Sequence, residues 1–156
     1  MKQIFISSIV VAMVSMLLTA CSQRIGDFTI ISSKNVDIGG KYTKVDGRFE
    51  GSDSRPSILG IPLGTPDLKQ AVDNCIEAGK GDLITNAVLH SSWWTAIVYG
   101  QNKFTAMGDV WVKASVGDLS KPGVEIYELQ SSYDGYRLQS MADPSKSVKV
   151  DYFTIR

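Results

Sequence analysis

Between residues 65 and 113 the apolar pattern changes period once, from that of a helix to that of strands. Leu68, Ala71, Val72, Cys75 and Ile76 recur at i, i+3, i+4, i+7 and i+8, an apolar stripe of helical period. Lys69, Gln70, Asp73, Asn74 and Glu77 fill the other face. Thr65-Pro66-Asp67 supplies the start signal: threonine to cap, proline for the first helical position, aspartate for the positive end of the dipole. Gly79 and Gly81 follow the last periodic residue, where a left-handed cap is easiest. The spacing predicts one amphipathic helix.

Strand patterns come next. Residues 83–89 form a short, mostly apolar run, and residues 93–99 (Trp-Trp-Thr-Ala-Ile-Val-Tyr) are rich in aromatic and β-branched side chains. Residues 100–103 have turn composition. Residues 104–113 alternate, with Phe104, Ala106, Gly108, Val110 and Val112 on one face and Thr105, Met107, Asp109, Trp111 and Lys113 on the other. A helix feeding such a meander predicts an α+β fold, one main helix packed on a mostly antiparallel sheet.

Elsewhere, residues 27–33 suggest a first strand and residues 41–50 a polar edge strand anchored by Tyr42 and Phe49. Residues 51–56 (Gly-Ser-Asp-Ser-Arg-Pro) have loop composition, and residues 57–63 suggest an apolar connection packed under the helix start. A hairpin is expected from residues 124–129, a turn at 131–135 and a return strand over 136–141, then a last strand over 148–155. The apolar face of that last strand shifts between Tyr152 and Phe153, the mark of a bulge. These strands make a C-terminal β extension of one domain.

Residues 1–20 have a different purpose. A short positive start at Lys2 is followed by an apolar run over 4–18 that only serines interrupt, then small residues at 19–20: the order of a cleaved signal peptide. Leu18-Thr19-Ala20-Cys21 resembles the bacterial lipobox, which implies cleavage before Cys21, diacylation of its sulfur and acylation of the new amino terminus. That exceeds the single acyl chain that holds a protein to a membrane only marginally. Ser22, where aspartate would imply inner-membrane retention, implies passage to the outer membrane. The expected organisation is a signal peptide over 1–20, a lipidated tether over 21–26 and a globular α+β domain over 27–156. Residues 22–26, fully extended, reach at most about 18 Å, so the domain is expected to sit against the membrane surface.

Residues 60–111 are similar to small, mostly uncharacterised bacterial envelope lipoproteins. The similarity rests on Ile61-Pro62-Leu63-Gly64 before the helix, residues 81–87 after it, Trp93-Trp94, and Gly108-Asp109-Val110. More distantly, the helix–Gly–strand unit resembles the α/β core of the outer-membrane lipoprotein that senses stress in the Rcs pathway. The chain lacks that sensor's paired cysteines and long linker, so the resemblance implies a location and not a sensing role.

Charge and candidate chemistry narrow the function classes. Removing Lys2 with residues 1–20 leaves 15 basic and 16 acidic side chains, a formal charge of −1, and no DNA-binding signature is present, so no nucleic-acid partner is expected. The single histidine, His90, has no cysteine near it in sequence, so no zinc site is expected. On a strand, His90 and Ser91 point to opposite faces and cannot act as a catalytic pair. Asp46, Glu50 and Asp53 are interleaved with Arg48 and Arg55, which fits local ion pairs better than a calcium loop. Cys75, on the apolar stripe, is expected as a small core residue. No cofactor, metal site or catalytic residue is expected, and the chain does not read as an enzyme.

The tryptophans are the remaining candidates. Trp93 and Trp94 must face opposite ways on a strand. One can pack toward the helix while the other joins Trp111 on the second face, making a partner or ligand surface of Trp93, Trp94 and Trp111 or dipping into the membrane interface. Burial preferences favour a different outcome, in which the C-terminal hairpin covers them and all three are core. The functional expectation is an outer-membrane lipoprotein on the periplasmic face, held by acyl chains on Cys21 and binding another envelope component, with an envelope protein as the expected partner. The alternative is a small-molecule or lipid-binding module with an apolar pocket between helix and sheet.

Overall fold

The computed structural model describes residues 18–149 except 97, 121 and 134. Residues 1–17 of the expected signal peptide and the expected bulge at Tyr152 and Phe153 lie outside them. The strands are β1 (Leu18–Ile31), β2 (Lys41–Lys44), β3 (Phe49–Ile58), β4 (Ile61–Pro62), β5 (Leu83–Ala96), β6 (Tyr99–Lys113), β7 (Ile126–Ser132), β8 (Gly135–Ser140) and β9 (Ser147–Lys149). A single α-helix, α1 (Leu68–Ala78), lies between β4 and β5. Strand accounts for 58% of the molecule against 10% helix, which makes the fold a curled, antiparallel half-barrel and corrects the α+β expectation. The helix is a patch on a β-fold, not a layer of its own.

Four long strands hold the sheet together. β5 pairs with β1 on one side and with β6 on the other. The far edge of β6 is shared: β3 pairs along residues 99–108 and β2 along 111–113. β2 passes the sheet on to β7, β8 and β9. Several stretches with loop composition are therefore strand. Residues 51–56 lie in the middle of β3, and β5 runs unbroken through His90-Ser91-Ser92. Partners on both sides satisfy the backbone of β5, so its middle needs no apolar run. The turn expected at 100–103 is strand as well, and β5 turns into β6 around residue 98. Residues 21–26, expected as a tether, lie within β1, an edge strand whose outer side tolerates Ser22, Gln23 and Arg24.

The two cores lie on opposite faces of β5 and β6. On one face Ala71, Val72, Cys75 and Ile76 of α1 pack on Ile84, Ala87, Leu89, Ala106 and Val110. On the other, Leu83 and Trp111 pack with Tyr42, Leu129 and Leu138 of the C-terminal strands. A bulge in β5 between Thr85 and Val88, with Asn86 at φ 50°, restores the alternation between the two cores.

The helix ends differ from the sequence expectation. Asp67, not Thr65, is the N-cap, accepting from the Lys69 backbone N–H at 2.8 Å. At the other end Gly81 donates to Ile76 O and Lys80 to Glu77 O, both 2.9 Å, which is the Schellman pattern with Lys80 as its left-handed residue at φ 52°. Gly79 and Gly81 are glycines for space: a Cβ would come within 2.7 Å and 2.2 Å of the Val110 side chain. Among the described residues no helix is long and apolar enough to cross a membrane.

Candidate functional site

Register decides which candidates meet. The two tryptophans lie near one end of β5, Trp93 opposite Cys21 and Asn102, and Trp94 opposite Ala20 and Gln101. Residues directly opposite in an antiparallel pair share a face and have Cα atoms about 4.5–5.5 Å apart. Cys21 and Trp93 are therefore side-by-side neighbours on the helix face, and Trp94 is on the other. Both indoles are partly exposed, 45% for Trp93 and 39% for Trp94, and Cys21 is exposed. The Trp94 indole N–H donates to Gln101 Oε1 at 3.4 Å, and its ring lies 5.6 Å from that of Tyr99.

Trp111 does not belong to this group. It is 2% exposed in the second core, donates from Nε1 to Thr85 Oγ1 at 2.9 Å and meets Tyr127 edge-on at 4.9 Å. The residue opposite Trp94 is Gln101, ten positions along β6 from Trp111, or about 33 Å at the strand rise. Sharing a face is not enough to make a patch. The expectation that all three tryptophans are core is likewise met by Trp111 alone.

The end of the sheet around Trp93 and Trp94 is an apolar rim. Two hairpin tips form it: residues 59–60 between β3 and β4, and the turn at residue 98 between β5 and β6. The Leu59 N–H donates to Val98 O at 2.8 Å and fastens one tip to the other. Ile58 lies opposite Tyr99 and Ile61, so the three sit in one row across β6, β3 and β4. Of the fifteen exposed large hydrophobic side chains among the described residues, eight lie at this end of the sheet. Residues 57–63, expected to pack under the helix start, instead present Ile58, Leu59, Ile61 and Leu63 to solvent.

Other candidate chemistry is absorbed by structure. Asp53 bridges β3 to the helix start, its Oδ2 accepting from the Asp67 N–H at 2.7 Å and its Oδ1 from Arg55 at 2.9 Å. The Asp67 N–H first, and Arg55 after it, hold the Asp53 carboxyl below the ordinary carboxylate range. A depressed carboxylate contributes stability above its unfolded value of about 3.9 and loses it as pH falls through the lower folded value. Asp53→Asn is therefore expected to lower the Tm at neutral pH, with the gap to wild type closing below about pH 4, in melts taken from pH 7 to 3. Glu50 reaches Lys103 at 3.8 Å. Among the described residues no three of His, Cys, Asp and Glu are arranged to hold a metal ion. Burial raises the pKa of Cys75, whose Sγ donates to Phe49 O at 3.3 Å, so this thiol is a core group.

α1 and β3 are pressed together at Gly51. A Cβ on Gly51 would fall 2.0 Å from the Cys75 backbone nitrogen, so helix and strand backbones are in direct contact there. The open cleft of about 330 Å³ elsewhere is lined by Arg24, Asp27, Thr29, Arg48 and Asn86 with three apolar neighbours, and no residue of α1 lines it. Comparison of the chain with protein-family models, with curated proteins and with solved structures finds no match.

Proposed function

We propose that the mature chain is a non-enzymatic lipoprotein of the periplasmic face of a bacterial outer membrane. It is acylated at Cys21 and works by binding another envelope component through the rim around Trp93 and Trp94. The observation that carries this reading is the register of Cys21 opposite Trp93: the residue that the lipobox marks for acylation is a direct neighbour of the exposed indole. The remaining lipobox residues Leu18, Thr19 and Ala20, and Ser22 after the cysteine, supply the processing and sorting signals. A rim with this much exposed apolar surface is the kind that marks an interaction site.

The anchor is tested by mass spectrometry of the protein extracted from membranes. The wild-type chain is expected to begin at Cys21 and to carry a diacylglyceryl group on sulfur and an acyl chain on nitrogen. Cys21→Ser is expected to keep residues 1–20 and carry no acyl mass. A wild-type chain without acyl mass would overturn the anchor.

A further inference from the structure

Three stretches far apart in sequence meet at the rim, and none contains a charged side chain: residues 18–23, 56–66 and 91–102. The first cations beyond them, Arg24, Arg55 and Lys103, each face an acid already, Asp27, Asp53 and Glu50, and Asp67, next after residue 66, is spent capping α1. The rim thus offers apolar and aromatic groups and no uncommitted charge. Tryptophan and tyrosine beside aliphatic side chains are the residues that settle at the boundary between headgroups and acyl chains.

The tip at Leu59 adds a second observation. Leu59 and Gly60 occupy a two-residue hairpin turn, at φ 51° and 78°, where Asn-Gly is the usual choice. A leucine there strains the backbone and holds an apolar side chain, 69% exposed, at the outermost point of the hairpin.

We propose that the rim is a membrane-insertion surface, seated in the headgroup region of a phospholipid bilayer alongside the acyl chains of Cys21. This deepens the function proposed above and rests on its lipid anchor. The row of Cys21, Trp93 and Asn102 is three residues, about 10 Å, from the row of Ala96, Tyr99 and Ile58 at the rim. Because Cys21 is itself part of β1, no tether separates the acyl chains from the sheet. Cleavage before Cys21 also removes residues 18–20, which cover the edge of Trp94, Thr95 and Ala96 in the precursor, and opens that edge to lipid. Any bilayer that holds the acyl chains therefore meets the indoles. The envelope component bound through the rim is then the bilayer itself, and a protein partner would have to occupy the same space.

The test uses the mature protein extracted from membranes and reconstituted into phosphatidylethanolamine–phosphatidylglycerol vesicles, with and without dibrominated acyl chains. Trp93 and Trp94 emission is expected to be quenched by bromine, and a Trp93→Phe/Trp94→Phe variant, retaining Trp111, is expected to lose that quenching. Ile61→Asp, at a site 66% exposed, is expected to keep the wild-type Tm and lose most of the quenching. Leu59→Asn is expected to raise the Tm and weaken the quenching, a split that a purely structural leucine would not give. Quenching should survive a rise in salt, since no free charge is used. Acylated protein whose tryptophans bromine does not reach, or quenching that salt abolishes, would overturn the proposal while leaving the anchor intact. If the protein carries no acyl mass the anchor falls. The rim is then judged by flotation with vesicles: flotation that Ile61→Asp abolishes supports it, and no flotation overturns it.

Discussion

Gly51→Ala is expected to destabilise the protein by about 3 kcal/mol or more, at the upper end of what overpacking a core costs. The added Cβ would lie 2.0 Å from Cys75 N, 2.5 Å from Asn74 C and 2.6 Å from Ala71 O. All three are backbone atoms, so no rotamer change relieves the clash and α1 itself must move away from β3. Moving it breaks two hydrogen bonds that flank the glycine, Asn74 Nδ2 to Ser52 O at 2.8 Å and Cys75 Sγ to Phe49 O at 3.3 Å. It also opens the core formed by Ala71, Val72, Cys75 and Ile76. Against a total stability of typically 5–15 kcal/mol, that loss is a large fraction of the whole. Urea denaturation would register it as a lower midpoint at unchanged slope. Gly47→Ala is the control: at φ 101° with nothing within 4 Å, it carries backbone strain alone, about 1–2 kcal/mol.

That glycine also marks where the sequence misleads. Residues 51–56 have the composition of a loop, yet Gly51 is glycine because a helix presses on it. Ser52, Asp53 and Ser54 are polar because they lie beside the helix start and near the sheet's end. β3 pairs with β6 on one side along most of its length, which lets it carry Pro56. A strand recognised only by apolar alternation is invisible here. The helix was legible because its stripe is periodic and entirely used: the four residues from Ala71 to Ile76 that the pattern marks are the ones buried. Its prominence biased the fold class toward α+β, since eleven helical residues stand out more than strands of ten to fifteen with polar interiors.

The candidate site was half legible. Adjacent tryptophans on a strand must diverge, and the structure has Trp93 and Trp94 on opposite faces at one end of β5. What no pattern along the chain reveals is which distant segments share that end. Convergence of the uncharged residues 18–23, 56–66 and 91–102 is a property of register, and register follows from the two hairpin tips and the β5 bulge. The same missing information made Trp111 look like a neighbour of Trp94, because period-2 alternation fixes a face and says nothing of distance along it.

Trp111→Ala is expected to cost about 3–5 kcal/mol, the range for truncating a buried large aromatic. The indole fills the second core between Leu83, Tyr42, Leu129 and Leu138. Its removal also strips the buried Thr85 hydroxyl of its donor and Tyr127 of an edge-on ring partner. For a domain of this length the Tm should fall by roughly 10–20 °C. Trp111→Phe keeps most of the volume but not the N–H, and should recover a large part of that loss. Trp94→Ala, at a partly exposed ring resting on Tyr99, should stay within about 1 kcal/mol of wild type. Emission separates the roles in the same experiment: loss of Trp111 removes the blue, protected component, and loss of Trp94 removes a red, quenchable one. If Trp94→Ala destabilised the domain as much as Trp111→Ala, the rim would be a core element and the docking surface built on it would fall.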